Sequence, residues 1–159
     1  GFALIDLPSD HEVEGGLVTE CQVISTMLHN RNMGGTVKHF RATTRDSFKT
    51  RIRGPYKGLG FVHLSTHGGK ETISLIGGTV SWASVANVLM LVAPKLKRDQ
   101  ERVLNLSCCY SGYGYDEMKP LLKGHFTGAY YFETNKILFV DSMAVWAMFY
   151  RRRTVEPPA

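Results

Sequence analysis

The chain has 159 residues, 43% of them hydrophobic, with 19 Lys and Arg against 14 Asp and Glu for a net charge of +5. That length buries one ordinary core without staples, and the scattered glycines and prolines form no repeat and no low-complexity stretch, which excludes repeat, fibrous and disordered classes. No window reaches the ~18 apolar residues of a membrane span, and no signal-peptide pattern opens the chain.

In chain order, Phe2-Ala3-Leu4-Ile5 is a short apolar run halted by Asp6 and Pro8, the pattern of an interior strand. After a polar loop, Leu17, Cys21, Ile24 and Leu28 recur at helical spacing, widened by Val18 and Met27, and Asn30 and Gly34 mark the stop. Residues 36–40 read as a strand, and Thr44 opens a helix carrying Phe48 and Ile52. Residues 59–65 form a strand that runs into Thr66-His67-Gly68-Gly69. Residues 72–75 and 79–80 flank Gly77-Gly78 as a hairpin. Ser81 caps a helix whose apolar face is Trp82, Val85, Val88, Leu89 and Val92. Residues 103–107 are a further buried strand, ending at Cys108-Cys109-Tyr110-Ser111-Gly112. Residues 126–132 and 137–140 are the last strand candidates, and Asp141 or Ser142 caps a final helix with Met143, Trp146, Ala147 and Tyr150. Strands alternate with helices throughout, which predicts an α/β three-layer sandwich around a mostly parallel central sheet.

Residues 1–150 read as a single domain and 151–159 as a basic, flexible tail. The start at Gly1, entering a strand almost at once, is expected of a piece of a longer protein. The positive excess is spread over Lys38, Arg41, Arg45, Lys49, Arg51, Arg53 and the run Arg151-Arg152-Arg153. It reads as a solvated surface, so neither direct nucleic-acid binding nor membrane binding is expected. Three cysteines, two of them adjacent, make a poor disulfide framework and point to a reducing, cytoplasmic setting.

Functional side chains of open α/β sheets collect at the carboxyl ends of the strands, where loops stay open to solvent on a rigid scaffold. His67 and Cys109 both follow such ends, 42 positions apart with one helix between their strands. One right-handed crossover brings those tips side by side. A free thiol is only about 3% thiolate at pH 7, so an adjacent imidazole that takes its proton raises its nucleophilicity. Attack on a peptide carbonyl also needs preorganised donors for the oxyanion, worth roughly 3 to 4 kcal/mol each. Gly68, which has no side chain, and the N–H of Cys109 suit that task.

Residues 61–69, Phe-Val-His-Leu-Ser-Thr-His-Gly-Gly, resemble the strand-then-His-Gly motif of the caspase-like cysteine peptidase superfamily. Ser107-Cys108-Cys109-Tyr110-Ser111-Gly112 resembles the Cys-x-Ser-Gly element of metacaspases, and residues 140–151 are similar to the closing helix of the separase-related CHAT domains. The resemblance implies a caspase-hemoglobinase-like fold and a cysteine endopeptidase acting on protein or peptide substrates without metal or organic cofactor. It also implies control by regulatory domains or partner proteins outside the chain. It makes His67 and Cys109 the catalytic dyad, with Cys109 as nucleophile because it precedes x-Ser-Gly, and Cys108 as the small buried residue before it. For substrate binding, Asp6 follows the first strand where the family forms its S1 pocket. Ser107 holds the position that is acidic in metacaspases, and Tyr110 the one that is usually His. Asp141 resembles the acidic residue that separase-like enzymes use for arginine. A basic P1 residue is the preferred substrate, while a turn role for Asp6 and a helix cap for Asp141 stay open.

Three other readings follow from the same residues. His63 and His67, an even number apart on a strand, would share one face as metal ligands, but no acidic third ligand follows and His63 reads as the buried partner of a backbone carbonyl. An inactive scaffold domain is the alternative to the peptidase. Residues 113–128, rich in Gly and polar side chains, read as a lid or an autoprocessing loop cut at Lys123-Gly124.

Overall fold

The structure is a computed structural model that describes residues 1–33 and 36–154. The strands are β1 (Phe2–Asp6), β2 (Val37–Arg41), β3 (Phe61–Ser65), β4 (His67–Gly68), β5 (Thr72–Leu75), β6 (Gly78–Ser81), β7 (Val103–Ser107) and β8 (Gly128–Tyr130). The helices are α1 (Asp10–Glu14), α2 (Glu20–Asn30), α3 (Arg45–Arg51), α4 (Trp82–Val92), α5 (Ser111–Met118) and α6 (Phe139–Thr154). Five strands run parallel in the order β2-β1-β3-β7-β8, and β4-β5-β6 form a small antiparallel sheet beside them.

Every residue of β1 is buried, as a parallel strand covered on both faces requires. Its side chains alternate between two cores. Ala3 and Ile5, with Val62, Leu64, Leu104 and Leu106 of the neighbouring strands, pack against Phe48 of α3 and Trp82, Val85 and Leu89 of α4. Phe2 and Leu4 pack on the opposite face against Cys21, Ile24 and Leu28 of α2 and Trp146 and Tyr150 of α6. The second core is strongly aromatic: Phe2 stacks on Phe61 at 5.5 Å, and Tyr150 meets both edge-on at 5.9 and 6.0 Å. Tyr150 also accepts a 2.8 Å hydrogen bond from the buried Asn105 side chain of β7.

Several local expectations change. The helix expected from Leu17 begins at Glu20, because the Thr19 hydroxyl accepts from Gln22 N–H while the Gln22 side chain accepts from Thr19 N–H. Leu17 and Val18 therefore stay outside the helix and exposed. The polar loop before it holds α1, which buries no residue and so lacks the apolar period that would announce it. Residues 137–140 are not a strand. The carbonyl of Leu138 accepts from the N–H groups of Asp141 and Ser142, so α6 is under way at Phe139 and neither residue is its cap. Arg151, Arg152, Arg153 and Thr154 continue α6 rather than opening a tail, and residues 155–159 of that expected tail lie outside the described residues.

The segment 113–128, expected to be a lid or autoprocessing loop, leaves Lys119 and Lys123 exposed but is anchored at Gly114, Met118, Leu122 and His125. It begins as α5, whose Gly114 lies under the Trp82 ring, and continues through buried Leu122 and His125. The His125 imidazole donates to Ala93 O at 2.8 Å, and its carbonyl accepts from buried Arg102 at 3.0 Å. Among the described residues no helix is long and apolar enough to cross a membrane.

Candidate active site

Strand registration assembles the site. Asp6, Ser65 and Ser107 stand in one row across β1, β3 and β7. Thr66 N–H donates to Ser107 O at 3.1 Å, and two residues beyond each paired serine come His67 and Cys109. Both line a single cleft together with Asp6, Glu12, Ser107 and Ser142. The crossover through α4 expected from the sequence thus brings the two tips to one place.

The turn at Cys109 is tight. Tyr110 adopts a left-handed conformation at φ 55° directly before α5, and its N–H donates to Asn135 O at 2.8 Å. Such a conformation is sparsely populated for a non-glycine residue and persists only where its surroundings hold it. Cys109 is partly exposed, and its sulfur rests 3.8 Å from Ile137 O. Cys108 is buried, and burial pushes its thiol well up, with Cys109 and Glu20 reinforcing the shift. A thiol held in that state is a poor nucleophile, and Cys109 is the more exposed of the pair.

Gly68 is required by close approach: a Cβ there would collide with the carbonyl oxygen of Cys109 and lie 3.0 Å from the Cys108 sulfur. The hairpin closes with Gly69 N–H on Thr72 O at 2.7 Å. Antiparallel pairs alternate between hydrogen-bonded and non-hydrogen-bonded, so the next pair, Gly68 with Ile73, is of the second kind and the Gly68 N–H is free of the ladder. Among the described residues no backbone acceptor is paired with the Cys109 N–H.

His67 has a side chain 53% exposed and directs Nε2 to Glu12 Oε2 at 2.9 Å. The same oxygen accepts from the Ser9 N–H at 2.7 Å and the Ser9 hydroxyl at 2.9 Å. Burial acts to raise the Glu12 carboxyl, but the Ser9 backbone, His67 and the Ser9 hydroxyl outweigh it and hold the group below the usual carboxylate range.

Beneath the cleft lies a buried polar cluster. Glu20 is fully buried and takes His63 Nε2 at 2.7 Å, the Ser107 hydroxyl at 2.9 Å and the Ser142 hydroxyl at 2.7 Å. Burial pushes its carboxyl up, yet His63, Ser142 and Ser107 together hold it below the usual range. His63 therefore partners a carboxylate rather than the expected backbone carbonyl, with its ring edge-on to Trp146 at 5.1 Å. His63 and His67 do not share a face, because β3 ends at Ser65 and the chain passes into the second sheet at His67. Among the described residues no three His, Cys, Asp or Glu side chains converge as a metal site.

Of the residues expected to bind substrate, Asp6 and Ser107 line the cleft. Asp6 is buried, with one oxygen 2.8 Å from the Thr19 hydroxyl and 3.8 Å from His39. Asp141 is exposed in the first turn of α6 and is not among the cleft-lining residues, because α6 starts early enough to turn it outward and Ser142 inward. Reading the sequence missed Glu12, Glu20 and Ser142. The pattern Ser9-x-x-Glu12 was the available signal for the first, and a charge four residues before Ile24 and eight before Leu28, on the buried stripe of α2, was the signal for the second. Neither a scan against protein-family models nor a search of curated proteins finds a match to this chain.

Proposed function

We propose that this domain is a cysteine endopeptidase of the caspase-like, CHAT-related type, cutting protein substrates through Cys109 and His67. The observation that carries this reading is the Ser65–Ser107 register, which ends two parallel strands level and leaves His67 and Cys109 on the walls of one cleft. In the proposed reaction the Cys109 sulfur gives its proton to His67 and attacks the scissile carbonyl carbon. The oxyanion is held by the N–H groups of Gly68 and Cys109. As the C–N bond breaks, His67 returns the proton to the departing amine, and water then hydrolyses the thioester to free Cys109.

Cleavage after a basic residue is the preferred specificity. The cleft lining carries the carboxylates of Asp6 and Glu12 and no Lys or Arg, and its floor hydroxyls, Ser107 and Ser142, already donate to Glu20. A cationic P1 side chain complements that field, and an acidic one meets repulsion. Buried or partly exposed free thiols fit the cytoplasmic setting expected from the sequence.

An inactive scaffold is the second reading, favoured by one observation: residues 135–137 lie over the nucleophile, with Asn135 O on Tyr110 N–H and Ile137 O beside the Cys109 sulfur. The two separate by labelling with peptidyl electrophiles that carry Arg, Lys or Asp at P1, followed by mapping of the modified thiol. The peptidase reading expects Arg and Lys probes on Cys109 and none on His67→Ala. Labelling that ignores P1 and His67, together with equal peptide turnover by wild type and Cys109→Ala, would sink it.

A further inference from the structure

α1 is a five-residue helix that buries none of its side chains, so it adds nothing to either core. What it does is fix one carboxylate. Glu12 is 12% exposed, and its Oε2 is held by two donors of Ser9 while it faces His67 Nε2 at 2.9 Å. His67 has little else to hold it. It sits on a two-residue strand between Thr66 and Gly68 with its ring half exposed, and Glu12 is its side-chain partner among the described residues. An imidazole so placed rotates freely unless a charge-assisted bond orients it.

Resting on the dyad reading above, we propose that Glu12 is the positioning residue for His67, completing a Glu12–His67–Cys109 relay. With Nε2–H donating to the carboxylate, the lone pair is on Nδ1, the nitrogen left to serve the thiol. When the sulfur proton moves to Nδ1, the imidazolium keeps its Nε2–H on Glu12 and the pair is stabilised beside the thiolate. That proton leaves Nδ1 for the amine as the C–N bond breaks, and Glu12 stays a carboxylate throughout. The Ser9 bonds prepay the ordering of the carboxylate, which would otherwise be a mobile side chain.

The test compares Glu12→Gln, Glu12→Ala and His67→Ala by the rate of Cys109 alkylation with iodoacetamide at about pH 7, read by mass spectrometry. Buried Cys21 and Cys108 report any global opening. His67→Ala slows the reaction, and Glu12→Gln, whose amide can keep the Ser9 cap, slows it by about tenfold while Cys21 and Cys108 stay unlabelled. Wild-type speed in Glu12→Gln beside a slow His67→Ala overturns the Glu12 role and spares the dyad. Wild-type speed in all three overturns the dyad as well. If Cys21 becomes labelled in the Glu12 variants, carbon-13 titration of the Glu12 carboxyl in wild type and His67→Ala decides. Loss of the imidazole moves that titration to higher pH, and an unmoved titration overturns the proposal.

Discussion

Replacing Glu20 by alanine tests the cluster on which the cleft floor rests. The substitution removes a fully buried acceptor of three hydrogen bonds and leaves His63 Nε2 and the Ser107 hydroxyl facing an empty space, while the Ser142 hydroxyl keeps Phe139 O at 2.9 Å as an acceptor. Hydrogen bonds to a charged group are worth about 1.5–3 kcal/mol each, but they are not additive, and breaking one side of a buried charged pair costs about 3–5 kcal/mol in all. Against a total stability of about 5–15 kcal/mol, that leaves a marginal protein. Urea unfolding followed by the fluorescence of buried Trp82 and Trp146 measures it. The effect also has a pH signature. Because the folded protein holds the Glu20 carboxyl below its ordinary value of 4.5, its contribution is complete above that value and fades as pH falls through the lower folded-state one. Below that ordinary value the gap between wild type and Glu20→Ala therefore narrows as pH falls further, whereas above it the buried His63, left without its carboxylate in the variant, adds its own pH dependence. A loss under about 1 kcal/mol at neutral pH, or a gap that widens as pH falls below the ordinary carboxylate value, refutes the assignment of this cluster as a stabilising network.

Two further substitutions test close approach. Gly68→Ala drives a Cβ into the Cys109 carbonyl and against Cys108, so Cys109 alkylation by a peptidyl electrophile is lost and thermal unfolding shows a cost of about 1–3 kcal/mol. Gly114→Ala sets a Cβ 2.6 Å from the Trp82 ring and costs at least as much, whereas Gly128→Ala, with nothing within 4 Å, stays within about 0.5 kcal/mol of wild type. Equal melting of the Gly114 and Gly128 variants would contradict the packing of α5 on α4.

By itself the sequence determined the alternation of strands and helices and the two strand tips, because both are local properties. An apolar run stopped by small or polar residues is readable within about six positions, and His67-Gly68 and Cys109-x-Ser111-Gly112 sit directly after such runs. α1 escaped because a five-residue helix without a buried face has no period to read. The start of α6 escaped because residues 137–140 are apolar and suit either element, so Asp141 was turned toward the site on paper and Ser142 in the fold. Only the tertiary structure decided the surroundings of the dyad. His67 meets Glu12 across 55 positions, and Glu20 meets His63, Ser107 and Ser142 across 43, 87 and 122. Such partners are chosen by the order of the strands and by which helix covers which face, and no local pattern encodes a distance of that kind.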